Sequence, residues 1–304
     1  LDEKLGGYYI DMTPAIVHYT DHHYGQFDAK GVSMNGFGKY ANYYPINIAQ
    51  YGFILHDMYI KDKSDKDVEE VLFACLDWFE SNKDEFFNTI CWRCTYYNIK
   101  YDLQKGWVSA MAQGEIISFY LRMYQLTKRN DLLETAIKAY EFMKIEVNDG
   151  GIRSYDENGY LWLEEYPSTP PSYVLNGFIY AIFGLYDVYR ITKRDDVKKD
   201  IDDCIETLKN NLYKYDVGYW SLYDQLIKEL VQVYYQKNVH TPQMAILYSL
   251  TKEPIFLQYQ KKWERNINPF NILFVKIMYR VLHRWQKFKK IIQRKDLKDE
   301  HKSS

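Results

Sequence analysis

Four strongly apolar segments with helical spacing recur along the chain. Each is followed by a polar break and then by a more charged, amphipathic segment. An amide side chain stands early in each apolar segment, and successive amides are 63, 63 and 67 positions apart. A repeat at a nearly fixed period indicates an architecture built from one repeated unit. The four amides are Gln50, Gln113, Asn176 and Gln243.

A helix that is apolar on all sides needs burial all round, whereas an amphipathic helix buries one stripe. We therefore predict a mainly α fold, an (α/α)4 barrel or toroid with four inner and four outer helices. Residues 45–269 would form this barrel, and the N-terminal ends of the inner helices would place the amides at one face. Such helix ends favour an anionic ligand. The alternative for each amide is helix capping or a helix–helix hydrogen bond.

Residues 1–44 are rich in Gly and Tyr and lack a helical period. They predict short strands and loops packed on the barrel. Within 150–167, Asn158–Gly159 between alternating segments predicts a hairpin. Residues 213–225 predict a second short hairpin or an extended segment. We expect both to lie over the face that carries the amides.

The composition is that of a soluble globular protein, with 304 residues, 47% apolar and 26% charged, and a net charge of −2. No overall field favours nucleic acid, so no nucleic-acid partner is predicted. The 31 tyrosines stand out. Tyrosines either fill a wet core or line a cleft that stacks on sugar rings and hydrogen-bonds their hydroxyls.

Four cysteines are too few for a disulfide framework, and Cys91 and Cys94 form a lone CxxC without a second ligand pair. No metal site is predicted. No apolar run reaches the roughly 18 residues of a membrane span, and no signal peptide is visible. The chain begins at Leu1 rather than Met, which is consistent with the removal of an N-terminal part. The compartment is left open.

Residues 270–304 predict a basic amphipathic helix and tail. One interpretation packs this helix on the barrel through Phe274, Ile277, Met278 and Leu282, with a solvated basic face. The other is a docking patch for a polyanion or an anionic membrane surface. Its basic residues, with no acidic partner before Asp296, are Lys276, Arg280, Arg284, Lys287, Lys289, Lys290, Arg294 and Lys295.

Four long motifs stand out in the chain: "YANYYPINIAQYG", "GWVSAMAQGEIISFYLRMYQLT", "EEYPSTPPSYVLNGFIYAIFGLYD" and "GYWSLYD". They resemble the D-glucuronyl C5-epimerases, which act on heparosan and heparan sulfate precursors, and the similarity covers roughly residues 7–265. The resemblance implies an (α/α)4 barrel that converts D-glucuronate to L-iduronate within an anionic polysaccharide. The family's large N-terminal β-domain is mostly absent, so its calcium site is not carried over. Family members tend to dimerise, and animal members reside in the Golgi lumen.

The resemblance also implies site residues. The second glutamate, the tyrosine and the amide of the "EEYP…NGF" motif fall on Glu165, Tyr166 and Asn176, with Tyr180 one turn further along. The tyrosine of the "YD" motif falls on Tyr223.

The segment "VYYQKNVHTPQ" matches the family less cleanly, because it holds one extra residue. His240 and Gln243 match, and the tyrosine is Tyr235 or Tyr234. The family arginine shortly after "YD" is Leu226 here, which leaves open whether the same substituted polymer is preferred.

Inversion at C5 removes a hydrogen alpha to a carboxylate and returns one to the opposite face, through an enediolate that needs positioned donors. Glu165 is the predicted base, if burial raises its pKa from about 4.3 towards neutrality. Tyr235 is the predicted acid, with Tyr223 as proton shuttle or second acid. No metal or organic cofactor is required. The predicted substrate-binding residues are Tyr166, Asn176, Tyr180, His240, Gln50 and Gln113.

Simpler interpretations stay open for these residues. Glu165 could form a salt bridge or cap beside a proline turn, the tyrosines could be ordinary packing, and His240 could be a core histidine.

Two other functions remain as well. A uronate polysaccharide lyase shares the proton abstraction but then expels the C4 substituent, giving a product that absorbs in the ultraviolet. A non-catalytic sugar-binding module would never exchange the C5 hydrogen.

Overall fold

The computed structural model describes residues 2–21 and 25–281. The chain divides into two compact units, which are described separately. The first comprises Leu1–Leu212 with Asp224–Ile227, and the second comprises Tyr213–Tyr223 with Lys228–Ser304.

Three helix pairs build most of the first unit, each an apolar helix followed after a short break by an amphipathic one. A short helix and two 3₁₀ turns (Thr13–Ala15 and Gly38–Tyr40) lie before them, within a stretch where the sequence predicted only strands and loops. The helices are α1 (Ile16–Thr20), α2 (Pro45–Lys61), α3 (Lys66–Asn82), α4 (Ala110–Thr127), α5 (Asn130–Phe142), α6 (Leu175–Thr192) and α7 (Asp195–Asn211).

The distinction between inner and outer helices is visible in their burial. Every residue of α4 from Ala110 to Met123 is buried, and so is every residue of α6 from Leu175 to Val188. The helices that follow them, α5 and α7, alternate buried and solvent-facing positions. This is the difference that the repeat pattern predicted, since only an all-apolar helix tolerates burial on every side.

Helices α4 and α6 approach each other closely enough for their backbones to touch. A Cβ atom added to Gly184 would lie 2.6 Å from the Cα atom of Gly114, and one added to Gly114 would lie 2.6 Å from the Cα atom of Ala181. Glycine permits this approach because it has no side chain to separate the two helices.

The N-terminal segment is tied to these helices by a buried ion pair. Arg122 on α4 lies 2.6 Å from Asp187 on α6, and both side chains are buried. The Arg122 guanidinium also donates to the carbonyl of Gly7 at 3.0 Å, and the Tyr9 hydroxyl donates to Asp187 at 2.8 Å. These contacts hold the "GGYYI" stretch against the inner helices and bury Tyr8 beside them.

The strands described in the first unit pair into small antiparallel sheets. The hairpin predicted around Asn158–Gly159 is confirmed, with Ser154 opposite Trp162. Gly159 takes a φ of 78° in its turn, a conformation that glycine adopts at little cost. The paired strands are β1 (Gly25–Phe27) with β2 (Ser33–Asn35), β3 (Asp84–Phe86) with β4 (Thr89–Cys91), β5 (Arg93–Cys94) with β6 (Trp107–Val108), and β7 (Arg153–Tyr155) with β8 (Leu161–Leu163).

The second unit holds the fourth helix pair. A continuous helix runs from α8 (Val233–Tyr235) through a π-helical turn (Gln236–His240) into α9 (Thr241–Thr251), and α10 (Pro254–Asn266) packs against α9. An antiparallel bridge joins Asp216 to Ser221.

Together the two units confirm the predicted fold class, a mainly helical (α/α) fold with small β elements. Residues 269–281 are also helical. The remainder of the predicted basic helix, beginning at Leu282 and including its basic residues from Arg284 to Lys295, lies outside the described residues.

Candidate active site

Glu164 and Glu165 follow directly after β8, and both side chains are buried. The carboxylate of Glu164 is fully engaged. One oxygen accepts from the Ser154 hydroxyl at 3.0 Å, and the other accepts from the Ser172 hydroxyl at 2.9 Å and the Tyr173 amide at 3.1 Å. Glu164 therefore ties the β7–β8 hairpin to the segment that enters α6.

Burial raises the pKa of Glu164 to about 7, against the opposing effect of the hydrogen bonds from Ser172 and Ser154. A buried carboxyl with this pKa changes its charge close to neutral pH. Both oxygens of Glu164 are nevertheless bound by other residues of the protein, namely Ser154, Ser172 and Tyr173. Glu164 therefore has a structural role next to the predicted base, Glu165.

Glu165 turns instead towards the first turn of α6. A Cβ atom added to Gly177 would lie 2.1 Å from Oε2 of Glu165 and 2.5 Å from its Cβ atom. The glycine of the "NGF" motif thus provides the space that the glutamate occupies. The backbone N–H groups at a helix N-terminus favour a negative charge at this place. Asn176, the preceding residue, is buried, with its amide nitrogen 3.8 Å from the sulfur of Met111.

Two tyrosines that the sequence analysis did not single out lie near Glu165. Burial raises the pKa of both Tyr44 and Tyr96, and the charge of Glu165 adds to the increase in each case. Their rings meet edge-on, with centroids 5.6 Å apart. The available signal was the position of Tyr44 directly before Pro45, at the start of an inner helix.

Tyr166 lies on an aromatic platform in the first unit. Its ring stacks on Tyr101 with centroids 4.4 Å apart and an interplanar angle of 14°, and it lies 5.4 Å from Trp107. The Tyr101 hydroxyl donates to Asp224 at 2.7 Å, which fixes the platform. The charge of Tyr166 also contributes to the raised pKa of Tyr44. The structure thus brings together a carboxylate–phenol cluster, which consists of Glu165, Tyr166, Tyr44 and Tyr96.

A second carboxyl, Glu115 on α4, was missed by the sequence analysis. Its Oε1 accepts from the Gln50 amide at 3.0 Å, and its buried Oε2 has no hydrogen-bond partner among the described residues. Burial raises its pKa well above the usual range, and the charge of Glu165 raises it further, whereas the Gln50 hydrogen bond opposes the shift. Burial therefore favours the protonated form of Glu115. The signal that could have found it was an ionisable residue within "AMAQGEII", part of one of the four apolar segments.

Gln50 and Gln113, both predicted to bind substrate, have protein partners. The Gln50 amide is the donor to Glu115. The Gln113 amide donates to the carbonyl of Ile90 at 2.7 Å and to that of Ala139 at 3.0 Å, which joins β4 to α5. These are the helix-bridging hydrogen bonds of the simpler alternative, and substrate contact by either residue stays a prediction.

Tyr180, also predicted to bind substrate, is buried on α6 one turn beyond Asn176. Its ring lies 6.4 Å from that of Tyr8, which stacks on Phe53 at 3.8 Å. The buried hydroxyl of Tyr8 has no hydrogen-bond partner among the described residues. Glu115 and Tyr180 both contribute to the raised pKa of Tyr8, after burial itself.

Tyr223 and Tyr235 lie in the second unit, where their rings meet edge-on with centroids 5.8 Å apart. Both side chains are half-buried, whereas Tyr234 is 47% exposed. This arrangement favours Tyr235 over Tyr234 as the partner of Tyr223.

The extra residue of the "VYYQKNVHTPQ" segment is accommodated by the π-helical turn Gln236–His240. A π turn absorbs one inserted residue without ending the helix, and such turns are frequent at functional sites. The turn follows Tyr235 directly and ends at His240.

His240 is fully buried, and its Nδ1 lies 2.8 Å from the Ser221 hydroxyl. The Ser221 proton goes to Oε1 of Gln236, so we assign the His240 Nδ1 as a donor to Ser221. Burial lowers the pKa of His240 to about 3, which keeps the imidazole neutral. Gln243, one turn further on, is also fully buried. Substrate binding by His240 stays a prediction.

Within residues 2–21 and 25–281, no group of three or more His, Cys, Asp or Glu side chains is arranged to hold a metal ion. None of the helices described there combines the length and apolarity needed to cross a bilayer.

The family model for the D-glucuronyl C5-epimerase C-terminus matches residues 82–265, which include Glu165, Tyr166, Asn176, Tyr223 and Tyr235. The chain belongs to this family. An uncharacterized protein of Methanocaldococcus jannaschii is 34% identical over 218 residues, covering 67% of this chain and 70% of that protein. The D-glucuronyl C5-epimerase of Caenorhabditis elegans is 33% identical over 165 residues, 50% of this chain and 27% of that enzyme. The chain thus spans about a quarter of the nematode epimerase.

Similar solved structures share the fold at low identity. A cellobiose 2-epimerase from Spirochaeta thermophila has a TM-score of 0.56 at 13% identity, covering 83% of this chain and 65% of that one. A sugar epimerase from a ruminal bacterium has a TM-score of 0.53 at 14% identity, covering 73% and 59%. An α-1,6-mannanase from Salegentibacter has a TM-score of 0.53 at 16% identity, covering 84% and 70%. At these identities the similarity concerns the fold alone.

Proposed function

We propose that this protein converts D-glucuronate to L-iduronate residues within a heparosan- or heparan-type polysaccharide. It removes the hydrogen at C5 and returns one to the opposite face. The observation that carries the proposal is the burial of Glu165 against Gly177, beside the phenols of Tyr44, Tyr96 and Tyr166. Membership of the C5-epimerase family supports the same reaction.

Glu165 acts as the base in this scheme. Removing the C5 hydrogen turns the substrate carboxylate into an enediolate with additional negative charge, which is the main energetic obstacle. The phenols around Glu165 and the N–H groups at the start of α6 are the donors available in the first unit to stabilise that charge. Tyr166 and Asn176 hold the sugar in the scheme.

The neutral state of Glu115 matters for this base. Two carboxylates that sense each other's charge do not both ionise readily. Because burial favours the protonated form of Glu115, with Gln50 bound to its other oxygen, Glu165 is the carboxylate of the two that carries the negative charge a base needs before it takes a proton. Glu115 is thereby a positioning residue.

Tyr235 donates the new proton, with Tyr223 as shuttle or second acid. A phenol with a reference pKa near 10 is a far stronger acid than a carbon acid alpha to a carboxylate, so transfer to C5 is downhill. Afterwards Glu165 holds a proton and the tyrosine is a phenolate, and exchange with solvent restores both. The edge-on contact between Tyr223 and Tyr235 supports treating them as one unit.

The departure from the family at Leu226 bears on the substrate's sulfation state. The family carries an arginine there, and the exposed leucine of this chain offers no charge to a sulfate or carboxylate. We therefore expect unsubstituted heparosan to serve at least as well as its N-sulfated form.

Incubation of the protein with each polymer in deuterated buffer, followed by NMR, tests the proposal. We expect deuterium at C5 of uronate residues, together with new iduronate signals and no shortening of the chains. An increase in ultraviolet absorbance with chain cleavage would show a lyase. Binding without any C5 exchange would show a sugar-binding module.

A further inference from the structure

Helix 269–281 in the second unit exposes one continuous apolar face. Four large apolar residues recur at spacings of three and four, so they lie within about 100° of one another around the helix. They form the apolar stripe and are exposed by 78%, 61%, 50% and 46% respectively: Phe270, Leu273, Ile277 and Val281.

The opposite side of the same helix packs against the rest of the second unit. Val275 is buried, and the Asn271 amide donates to the carbonyl of Tyr219. The Gln232 amide donates to the Tyr279 hydroxyl at 3.4 Å. Phe274, at the edge of the stripe, makes one ring contact, with Tyr219 at 5.3 Å. Of the four residues predicted to pack this helix, Ile277 is half exposed, so the prediction is wrong there, and it holds only in part for Phe274. Met278 is half-buried, and Leu282 lies outside the described residues.

Charge on this segment is strongly segregated. Lys276 and Arg280 lie beside the stripe, and the sequence adds six more basic residues between Arg284 and Lys295, with no acidic residue from Phe270 to Lys295. The protein as a whole has a net charge of −2. An apolar stripe flanked by Lys and Arg is the pattern of a helix that lies in the plane of an anionic lipid surface.

Other occupants fit these apolar and basic features less well. A polyanionic sugar chain would neutralise the basic residues but would leave the four apolar side chains in water. A second copy of the chain would cover the stripe but would bring two strongly basic segments together, which is repulsive. A membrane-spanning helix is interrupted too soon by Lys276 and Arg280. A bilayer with anionic headgroups satisfies both the apolar and the basic features.

We propose that helix 269–281 docks the protein on an anionic lipid surface, with the apolar stripe inserted at the level of the acyl chains. The stripe is about 17 Å long, at 1.5 Å per residue. The inference is independent of the reaction proposed above.

Sedimentation of the full chain with vesicles tests this, using phosphatidylcholine alone or mixed with phosphatidylglycerol. We expect binding to the mixed vesicles only. Leu273→Ser/Ile277→Ser should weaken it by about tenfold or more, and Lys276→Gln/Arg280→Gln should weaken it in a salt-dependent way. The matched control, Val17→Ser/Ile99→Ser, removes two exposed apolar residues of the first unit and should bind like wild type.

A fluorescent probe reports insertion directly. The native cysteines are all buried, so an environment-sensitive dye can be attached selectively to Leu273→Cys, with Ile99→Cys as control. We expect a blue shift with mixed vesicles at position 273 alone.

Three results would overturn the proposal. The first is an absence of binding to mixed vesicles. The second is binding that the serine pair leaves unchanged but soluble heparin abolishes, which would indicate a polyanion site. The third is a dimer that the serine pair converts to a monomer, without vesicle binding.

Discussion

The side chain of Glu165 occupies the space that a side chain on Gly177 would need. A Cβ atom added to Gly177 would lie 2.1 Å from the Oε2 atom of Glu165 and 2.5 Å from the Cβ atom of Glu165. The glutamate and the glycine of the "EEYP…NGF" motif are thus one structural feature, because the position of the first depends on the absence of a side chain at the second.

Replacing Gly177 with alanine should therefore displace the base. We expect Gly177→Ala to lower kcat for C5 exchange by about a hundredfold, since an error of the order of 1 Å in a reacting group costs that much. The free energy of unfolding should fall by only about 1–3 kcal/mol. Kinetics and chemical denaturation of the same samples measure both quantities.

Gly184→Ala is the matched control, because its added Cβ atom would meet the backbone of Gly114 at 2.6 Å, away from Glu165. It should lose stability while the folded fraction keeps its kcat. Equal kcat losses in both variants would mean that general packing, and not the position of Glu165, explains the effect.

Glu164 should give the protein a pH-dependent stability. Its pKa rises from 4.5 to about 7 on folding, so the folded state keeps a proton that the unfolded state releases. The contribution is fully present below about pH 4.5 and is lost as the pH rises to about 7. The shift corresponds to about 3 kcal/mol.

Glu164→Gln removes this titration while keeping the shape, because its oxygen can face Tyr173 and its amide can donate to Ser154. Urea denaturation between pH 4.5 and 8 should show a smaller loss of unfolding free energy in the variant, by up to about 3 kcal/mol. Parallel curves for wild type and variant would contradict the assignment.

A substitution at Gln113 distinguishes a structural role of this residue from a role in substrate binding. Gln113→Leu removes the buried hydrogen bonds to the carbonyls of Ile90 and Ala139, so we expect a loss of about 2–5 kcal/mol of unfolding free energy. The KM of the folded protein should stay unchanged. Unchanged stability with a raised KM would instead support the sequence-based role as a substrate contact.

Tyr234 and Tyr235 can be separated by removing one hydroxyl at a time. We expect Tyr235→Phe to lower kcat at least a hundredfold, because the proposed acid would be lost, while KM changes little. Tyr234→Phe, on the exposed neighbour, is the matched control and should retain activity. The reverse outcome would assign the acid to Tyr234.

The repeated helix pairs, the burial of the inner helices and the hairpin before Glu164 could all be predicted from the sequence. Helices α4 and α6 are buried on all sides because their sequences are apolar on all sides, and the hairpin before Glu164 follows from Asn158–Gly159. These features depend on local periodicity and turn chemistry, which a single chain displays directly.

The site was only partly accessible from the sequence. Glu165 and Tyr166 came from the family resemblance, whereas Tyr44, Tyr96 and Glu115 are separated from them by many residues and are brought near by folding. Three of the amphipathic helices have an aspartate near their start, but the aspartates do not all have the same role. Asp65 is the N-cap of α3 and accepts a hydrogen bond from the Val68 amide. Asp131 and Asp195 instead lie in the first turns of α5 and α7, whose N-cap residues are Arg129 and Arg194.

Comparing exchange of the C5 hydrogen with solvent between Glu165→Gln and Glu164→Gln decides whether Glu165 is the base. The two residues are adjacent, buried and chemically identical, so the substitutions differ only in which carboxylate is removed. We expect Glu164→Gln to incorporate deuterium into heparosan at nearly the wild-type rate, while Glu165→Gln incorporates none above background. Retained exchange in Glu165→Gln, with both variants folded, would mean that Glu165 is not the base.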